Sequence, residues 1–271
     1  MRLMFLGQAG FIFEGEEKRF LIDPYLSNYV VESGIGDAQF FSREFPSPIQ
    51  PEELFNIDCI FITHDHADHC DPLTIYPILK NNPHCQLIGP FPVINALRKG
   101  IIPENQFHSP KTGIWEQEQG MRYLALPSAH YELNQNSKSG EFPYYGYVIQ
   151  VDGIVIYHSG DTIMHETLLR DLLKAESNYN LVCLPVNGRD KEREALGITG
   201  NLDPEEALGL ASAMHAEYLF PMHNDLFRIN RLDPAILNDY REQKYPFLNV
   251  KWLHPGEIFW YETKKKGHLG R

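Results

Sequence analysis

The stretch Thr63-His64-Asp65-His66-Ala67-Asp68-His69 follows directly on the apolar run Ile57-Asp58-Cys59-Ile60-Phe61-Ile62. A short apolar run of this kind reads as a buried strand. The turn after it places three imidazoles and two carboxylates among residues 64–69. A packed core has no use for such a cluster, because every one of these groups needs a polar partner once buried. The fold must therefore end a buried strand where several of them can face one point. Neutral imidazole and carboxylate are ligands that suit zinc, manganese or iron. Five such groups are enough to begin two metal sites rather than one. The plain alternative, a solvated histidine-rich loop, weakens as more candidate ligands appear downstream.

The 271 residues allow one large domain or two small ones, and no linker or low-complexity run divides them. A single domain over 1–271 is expected. Hydrophobic residues make up 43% and charged residues 22%, enough for a sizeable core. The net charge of −12 argues against nucleic acid or an anionic membrane as partner. No apolar run reaches membrane-spanning length, and the N-terminus lacks the regions of a signal peptide, so a cytoplasmic location is expected. Cys59, Cys70, Cys85 and Cys183 form no disulfide framework. Cys70 adjoins His69, but without a CxxC spacing it reads as a packing residue.

Short strands are predicted at Arg2–Leu6, Gly10–Glu14 and Lys18–Ile22. Segment 26–50, which carries Ser, Gly, Asn and Pro and ends in Phe45-Pro46-Ser47-Pro48, reads as a long loop of the kind that serves as a lid or binding loop. Helices are expected at Pro72–Lys80 and at Pro92–Lys99, the second stopped by Gly100, with a strand at Gln86–Gly89 between them. Further strands are Met121–Leu126, a hairpin of Tyr144–Val151 and Ile154–His158 around Asp152-Gly153, Leu181–Pro185, Glu217–Pro221, and 249–253 and 258–261. Met164–Ala175 reads as a helix. Asp203-Pro204-Glu205-Glu206 and Asp233-Pro234 read as helix starts. The tail Lys264-Lys265-Lys266 reads as a solvated end. Strands followed by helices, twice over, suggest two packed sheets with helices outside.

Three more candidates stand just past apolar runs: His130 in Leu126-Pro127-Ser128-Ala129-His130, Asp161 in His158-Ser159-Gly160-Asp161-Thr162, and His223 in Phe220-Pro221-Met222-His223-Asn224. Loops after buried strands are where a rigid scaffold presents chemistry. Each alone is an ordinary loop residue; together with the first motif they read as one set.

With these residues in place, the whole chain resembles the metallo-β-lactamase superfamily. The resemblance implies an α/β fold, a four-layer αββα sandwich with metals at one edge between the sheets. It implies that His64, His66 and His130 hold a first metal, that Asp68, His69 and His223 hold a second, and that Asp161 bridges them. The loop strings Leu6-Gly7-Gln8-Ala9-Gly10, Tyr157-His158-Ser159-Gly160-Asp161-Thr162, Gly200-Asn201-Leu202-Asp203-Pro204-Glu205-Glu206-Ala207 and Pro221-Met222-His223-Asn224-Asp225 are most similar to the L-ascorbate-6-phosphate lactonase group. That group suggests a homo-oligomer.

Two divalent ions, zinc or manganese with iron as a third choice, would stand roughly 3.5–4 Å apart and share a hydroxide nucleophile. They would also polarise a carbonyl or phosphoryl oxygen. Asp68 is the expected catalytic carboxylate, orienting the hydroxide and passing a proton to the leaving oxygen. Asp65 is expected to hold an imidazole N–H. The segment Asn187-Gly188-Arg189-Asp190-Lys191-Glu192-Arg193 offers cations for a phosphate or carboxylate, with a mixed-charge surface turn as the alternative. Asn187, Arg189 and Lys191 are expected to touch substrate. Tyr131, with the polar segment Glu132–Glu141, is expected to line or cover the pocket. His165 is a candidate proton shuttle or a helix-surface histidine. His84, His108, His215, His254 and His268 read as structural.

The leading functional expectation is a metal-dependent hydrolase of a small anionic ester or lactone, resembling the ascorbate-phosphate lactonases. A phosphodiesterase or ribonuclease on the same fold is the second. A metal-binding module without turnover is the third.

Overall fold

The apolar runs at the start of the chain form an antiparallel meander of β1 (Arg2–Gly7), β2 (Gly10–Glu14) and β3 (Arg19–Ile22). The structure, a computed structural model, describes residues 1–98, 102–118, 120–137 and 139–262. Two short helices follow, α1 (Tyr29–Glu32) and α2 (Ala38–Phe41). Then come β4 (Cys59–Phe61), α3 (Pro72–Asn81), β5 (Gln86–Ile88), α4 (Phe91–Leu97) and β6 (Phe107–His108). A second meander contains β7 (Trp115–Glu118), β8 (Met121–Pro127), β9 (Tyr145–Val151) and β10 (Ile154–His158). It continues into α5 (Leu168–Ala175), β11 (Tyr179–Pro185), α6 (Lys191–Ala195), α7 (Pro204–Ala213) and β12 (Ala216–Met222). The chain ends with α8 (Pro234–Lys244), β13 (Asn249–Val250) and β14 (Ile258–Trp260).

Among the described residues these strands form two sheets, in the orders β14-β1-β2-β3-β4-β5-β6 and β7-β8-β9-β10-β11-β12-β13. In each, three antiparallel pairings give way to three parallel ones. Parallel neighbours need a crossover, and helices supply it. The pairing directions have a consequence for function. β1, β3 and β4 run the same way in one sheet, as do β8, β10, β11 and β12 in the other. The loops leaving each group therefore gather at one edge of their sheet.

Alternating side chains make the layers. In β3, Phe20 and Ile22 pack between the sheets, whereas Leu21 packs outward with Ile75 and Ile78 of α3 and Val93 of α4. In β9, Tyr147 and Ile149 face the inter-sheet core, and Val148 faces Leu172 of α5 and Leu208 of α7. The result is the αββα sandwich. Phe61 sits at its centre, with its ring 5.2 Å from Tyr123 and 5.1 Å from Tyr147 of the opposite sheet. The Tyr147 hydroxyl donates to Ile62 O (2.9 Å) and Tyr145 N–H donates to Thr63 O (2.8 Å). These bonds tie the strand leading into the histidine motif to the second sheet.

Helix starts follow local chemistry. Asp71, Asp203 and Asp233 each cap a helix whose first residue is proline, and Asp203 forms a reciprocal capping box with Glu206. Several elements differ from expectation. The helix expected from Met164 begins only at Leu168, because Ile163 N–H donates to Ala129 O (2.8 Å) and the His165 ring lies 3.2 Å from Pro127 O. Segment 26–50 contains α1 and α2 rather than being loop throughout. Residues 191–195, read as part of a loop, form α6. The expected helix stop at Lys99–Gly100, the tail Lys264–Lys266 and His268 lie outside the described residues. No helix among the described residues is long and apolar enough to cross a membrane.

Candidate metal centre

The loops at the common edge bring seven side chains together. His64, His66, His130 and Asp161 form one group with ligand atoms within 4.8 Å of one another, and Asp68, His69 and His223 form a second. Asp161 stands between them. Its Oδ1 lies 3.4 Å from His69 Nε2, and its Oδ2 lies 3.2 Å from His223 Nε2 and 3.9 Å from His130 Nε2. Gly160 makes this placement feasible. Its φ is +59°, and a Cβ there would meet Thr63 at 2.6 Å, so only glycine lets the turn after β10 approach the motif loop.

The imidazoles are aimed by their other nitrogens. Asp23, fully buried at the end of β3, accepts from Thr63 N–H (2.8 Å), from the Thr63 hydroxyl (2.6 Å) and from His69 Nδ1 (2.8 Å). Because the Thr63 hydroxyl donates to Asp23, the proton shared with His64 Nδ1 at 2.9 Å comes from the imidazole. His130 Nδ1 donates to Gly200 O (3.0 Å), and the Asn230 amide lies 3.4 Å from His223 Nδ1. For His64, His69 and His130 the Nδ1 hydrogen is taken, so in the neutral ring it is Nε2 that offers a lone pair to a metal. Behind them, the buried His158 accepts from Gly160 N–H at Nδ1 and donates from Nε2 to Ala9 O (2.9 Å). The Gln8 side-chain amide donates to Asp68 Oδ2 (2.7 Å), and its backbone carbonyl accepts from the His223 backbone N–H (2.7 Å). Gln8, Asp23 and His223 all hold left-handed backbone angles, with φ of +56°, +44° and +62°. Such strain in non-glycine residues concentrates at functional sites.

The electrostatics call for a cation. Burial, then the neighbouring His69 and His66, holds His64 well below the ordinary imidazole range, and burial also lowers His66. Burial opposes charge on Asp68 and Asp161 as well, but His69 and His223 outweigh it and both carboxyls stay below their usual range. In return, Asp161 and Asp68 overcome burial to raise His69 well above its ordinary value and His223 to about 9. Meanwhile His64 Nε2, His69 Nε2 and Asp161 Oδ1 are buried with no hydrogen-bond partner. Orphaned polar atoms are costly, and these three converge. A divalent ion satisfies lone pairs and charge together, so the donor set fits the metals that these ligand types suit. All four cysteines are free and buried, and Cys70 packs with Ile75 rather than joining either group.

The remaining expectations fare differently. Asp65 is exposed and no imidazole bond to it is found among the described residues; Asp23, Thr63 and Gly200 orient the rings instead. The cavity over the cluster, about 380 Å³, is bordered by α1, α2 and residues 196–199, and not by Asn187, Arg189, Lys191 or Tyr131. Asn187 lies behind His223, its amide 3.4 Å from Asn230. The Arg189 guanidinium grips both oxygens of Glu206 (2.7 Å each) and donates to Asn201 O (2.9 Å). Arg193 pairs with Asp190 and donates to Asn187 O (2.7 Å). These arginines therefore brace the loop and do not face the cavity. Lys191 and Tyr131 are exposed outside it. His165 is half-buried against Pro127 O and belongs to neither ligand group. Gln8, Asp23, Tyr144 and Asn230 were not foreseen. The Tyr144 ring stands 5.3 Å from those of both His64 and His130. Asp23 carries the same signal as Asp161, a carboxylate just past an apolar strand. A larger polar hollow of about 670 Å³ near Lys18 and His84, where Lys18 pairs with Asp58 and Arg19 with Glu14, lies apart from the cluster.

An αββα sandwich with a histidine–aspartate cluster at one edge between its sheets places the chain in a class of metal-site proteins built on this fold. The family model described as the beta-lactamase superfamily domain matches residues 18–224, and the chain belongs to that superfamily. A metal-dependent hydrolase of Methanosarcina mazei is 30% identical over 95% of this chain and 97% of its own length. Among solved structures, an isothiocyanate hydrolase from Delia radicum gut bacteria superposes with a TM-score of 0.76 at 19% identity, covering 96% of this chain and 99% of that one. A metallo hydrolase from Ignicoccus hospitalis superposes with a TM-score of 0.67 at 20% identity, with coverage of 96% and 99%. At these identities the solved structures speak for the fold.

Proposed function

We propose that this metal-dependent hydrolase cleaves an ester or lactone bond in a small molecule, with His64, His66, His130 and Asp161 holding one divalent ion and Asp68, His69 and His223 a second beside the shared Asp161. The observation that carries this reading is the convergence of three buried ligand atoms that make no hydrogen bond, His64 Nε2, His69 Nε2 and Asp161 Oδ1, the last two only 3.4 Å apart. When bound, the ions supply Lewis acidity toward a carbonyl oxygen and make a nucleophilic water available near neutral pH. The chain's own residues do the rest. Asp23, Thr63 and Gly200 keep the imidazoles in one tautomer and orientation. Asp68, fixed by Gln8 and facing the cavity, is placed to take a proton from the attacking water and return it to the leaving oxygen.

A cavity of about 380 Å³ suits a small substrate rather than a polymer. No Lys or Arg borders it among the described residues, so neither the phosphodiesterase reading nor a phosphorylated lactone gains support from its walls. The test joins metal analysis to a substrate panel of lactones (L-ascorbate 6-phosphate among them), carboxylic esters, an isothiocyanate and phosphodiesters. Turnover of an ester or lactone that a chelator removes and zinc or manganese restores is expected. Two bound ions with no turnover across the panel would instead favour a binding module.

A further inference from the structure

Five apolar side chains and one carboxylate form the mouth of the cavity that holds the cluster. Val30, Ile35 and Phe41 come from the α1–α2 segment, Leu196 and Ile198 from the turn after α6, and Asp65 from the motif loop. His66, Asp68, Asp161 and His223 line the same cavity, so mouth and cluster are continuous. Val30 is 5% exposed, whereas Ile35 and Leu196 at the rim are 66% and 57% exposed. Large apolar side chains left open at the entrance to a polar cluster suggest an apolar group that covers them.

Both walls are built rather than incidental. Phe41 packs edge-on to Phe227 at 5.5 Å, and Arg43 holds the base of the segment by donating to Tyr25 O (2.8 Å) and Ser27 O (3.3 Å). On the other side, Gly197 N–H donates to Glu194 O and Ile198 N–H to Arg193 O, both at 3.0 Å. With Gly197 at φ +76°, this is a Schellman turn that sets Leu196 and Ile198 on either side of the glycine. The arginines that seemed suited to an anion are the braces of this wall.

The charge at the mouth has the wrong sign for an anion. Asp65 is exposed there, and the described lining offers no basic side chain besides imidazole. We propose that the mouth is a subsite for the apolar tail of an uncharged substrate, with Asp65 disfavouring substrates that carry an anionic group on that tail. The proposal deepens the hydrolase reading and rests on it for the reacting bond.

The test separates the two. Hydroxamates chelate divalent ions whether or not the protein turns anything over, so their affinity for the zinc- or manganese-loaded protein reads the mouth alone. The series runs from acetyl through butyryl and hexanoyl to octanoyl hydroxamate, with the succinyl compound as the anionic counterpart of butyryl. Affinity should rise with length, by up to about fourfold per methylene, the value for a fully buried group. Butyryl should bind about tenfold better than succinyl, as one repulsive contact of 1.4 kcal/mol would give. Ile35→Asp and Leu196→Asp, both at exposed positions, should flatten the length dependence, and Asp65→Asn should narrow the butyryl–succinyl gap. A flat series or a preference for succinyl overturns the subsite, whereas no binding by any member, acetyl included, overturns the metal reading on which the subsite rests. Steep length dependence with no ester or lactone cleaved would leave the subsite standing and remove the hydrolase reading.

Discussion

The loops after β4 and β11 hold the same place in the two sheets and are used in opposite ways. Each leaves the second of a run of parallel strands at the edge where the cluster forms. The β4 loop turns His64, His66, Asp68 and His69 inward, around a fully buried Asp23 that accepts three hydrogen bonds. The β11 loop commits its arginines to Glu206, Asp190 and nearby carbonyls, and sends Leu196 and Ile198 to the cavity. A similar contrast separates Asp23 and Asp161, which follow the equivalent strands β3 and β10. Asp23 comes one residue past its strand and reaches back to Thr63. Asp161, past Gly160, reaches the centre of the cluster. Topology delivers a loop to the edge; its buried or surface partners decide whether its polar groups become ligands or braces.

The comparison breaks most visibly if the β4 loop is dispensable. His66→Ala should abolish hydrolysis and lower bound metal while far-UV circular dichroism stays native; full activity would refute the assignment. Next comes the support beneath that loop. Asp23→Ala strands His69 Nδ1 and the Thr63 hydroxyl in a buried site. It should weaken metal binding about 10- to 100-fold and destabilise the fold by about 1–3 kcal/mol, read by metal titration and chemical denaturation.

A pH series sharpens the picture of the second ligand group. In metal-stripped protein His223 is raised from 6.5 to about 9, so its ion pairing stabilises the fold fully below pH 6.5 and is lost as pH rises through about 9. The melting temperature of chelated protein should fall across that window. With a metal in place of the proton the fall should shrink, which differential scanning calorimetry can check.

Arg189→Ala probes the opposite loop. Its pair with Glu206 is partly exposed and should contribute about 1 kcal/mol or less. Metal content should hold, while KM rises as the Leu196 turn loosens. A loss of affinity confined to anionic substrates would instead return Arg189 to the role its sequence suggested. Smallest in functional effect is Asp203→Ala, which removes the α7 cap at a cost of about 1 kcal/mol and should leave turnover unchanged.

Much of the fold was legible because its signals are local. The hairpin of Tyr145–Val151 and Ile154–His158 followed from the Asp152-Gly153 turn signal between two apolar runs, and α7 and α8 from an aspartate cap followed by proline. The start of α5 lies later than the apolar pattern implies because Ile163 and His165 bond across to residues 127–129. The strand β7 and helix α6 were missed because Trp115–Glu118 is polar and Lys191–Ala195 reads as a charged loop.

By itself the sequence determined the residue types and strand-end positions of the seven clustered side chains, because imidazole and carboxylate placed after buried strands are a local, chemical pattern. Only the tertiary structure decided which polar groups hold them and which charges stay outside. Asp23 meets Thr63 across 40 residues, His130 meets Gly200 across 70, and Gln8 meets His223 across 215. Arg189 looked like a free cation until folding brought Glu206 against it. Whether a polar group is a ligand, a brace or a charge at a doorway depends on what is buried beside it, and those neighbours come from parts of the chain that only the fold brings together.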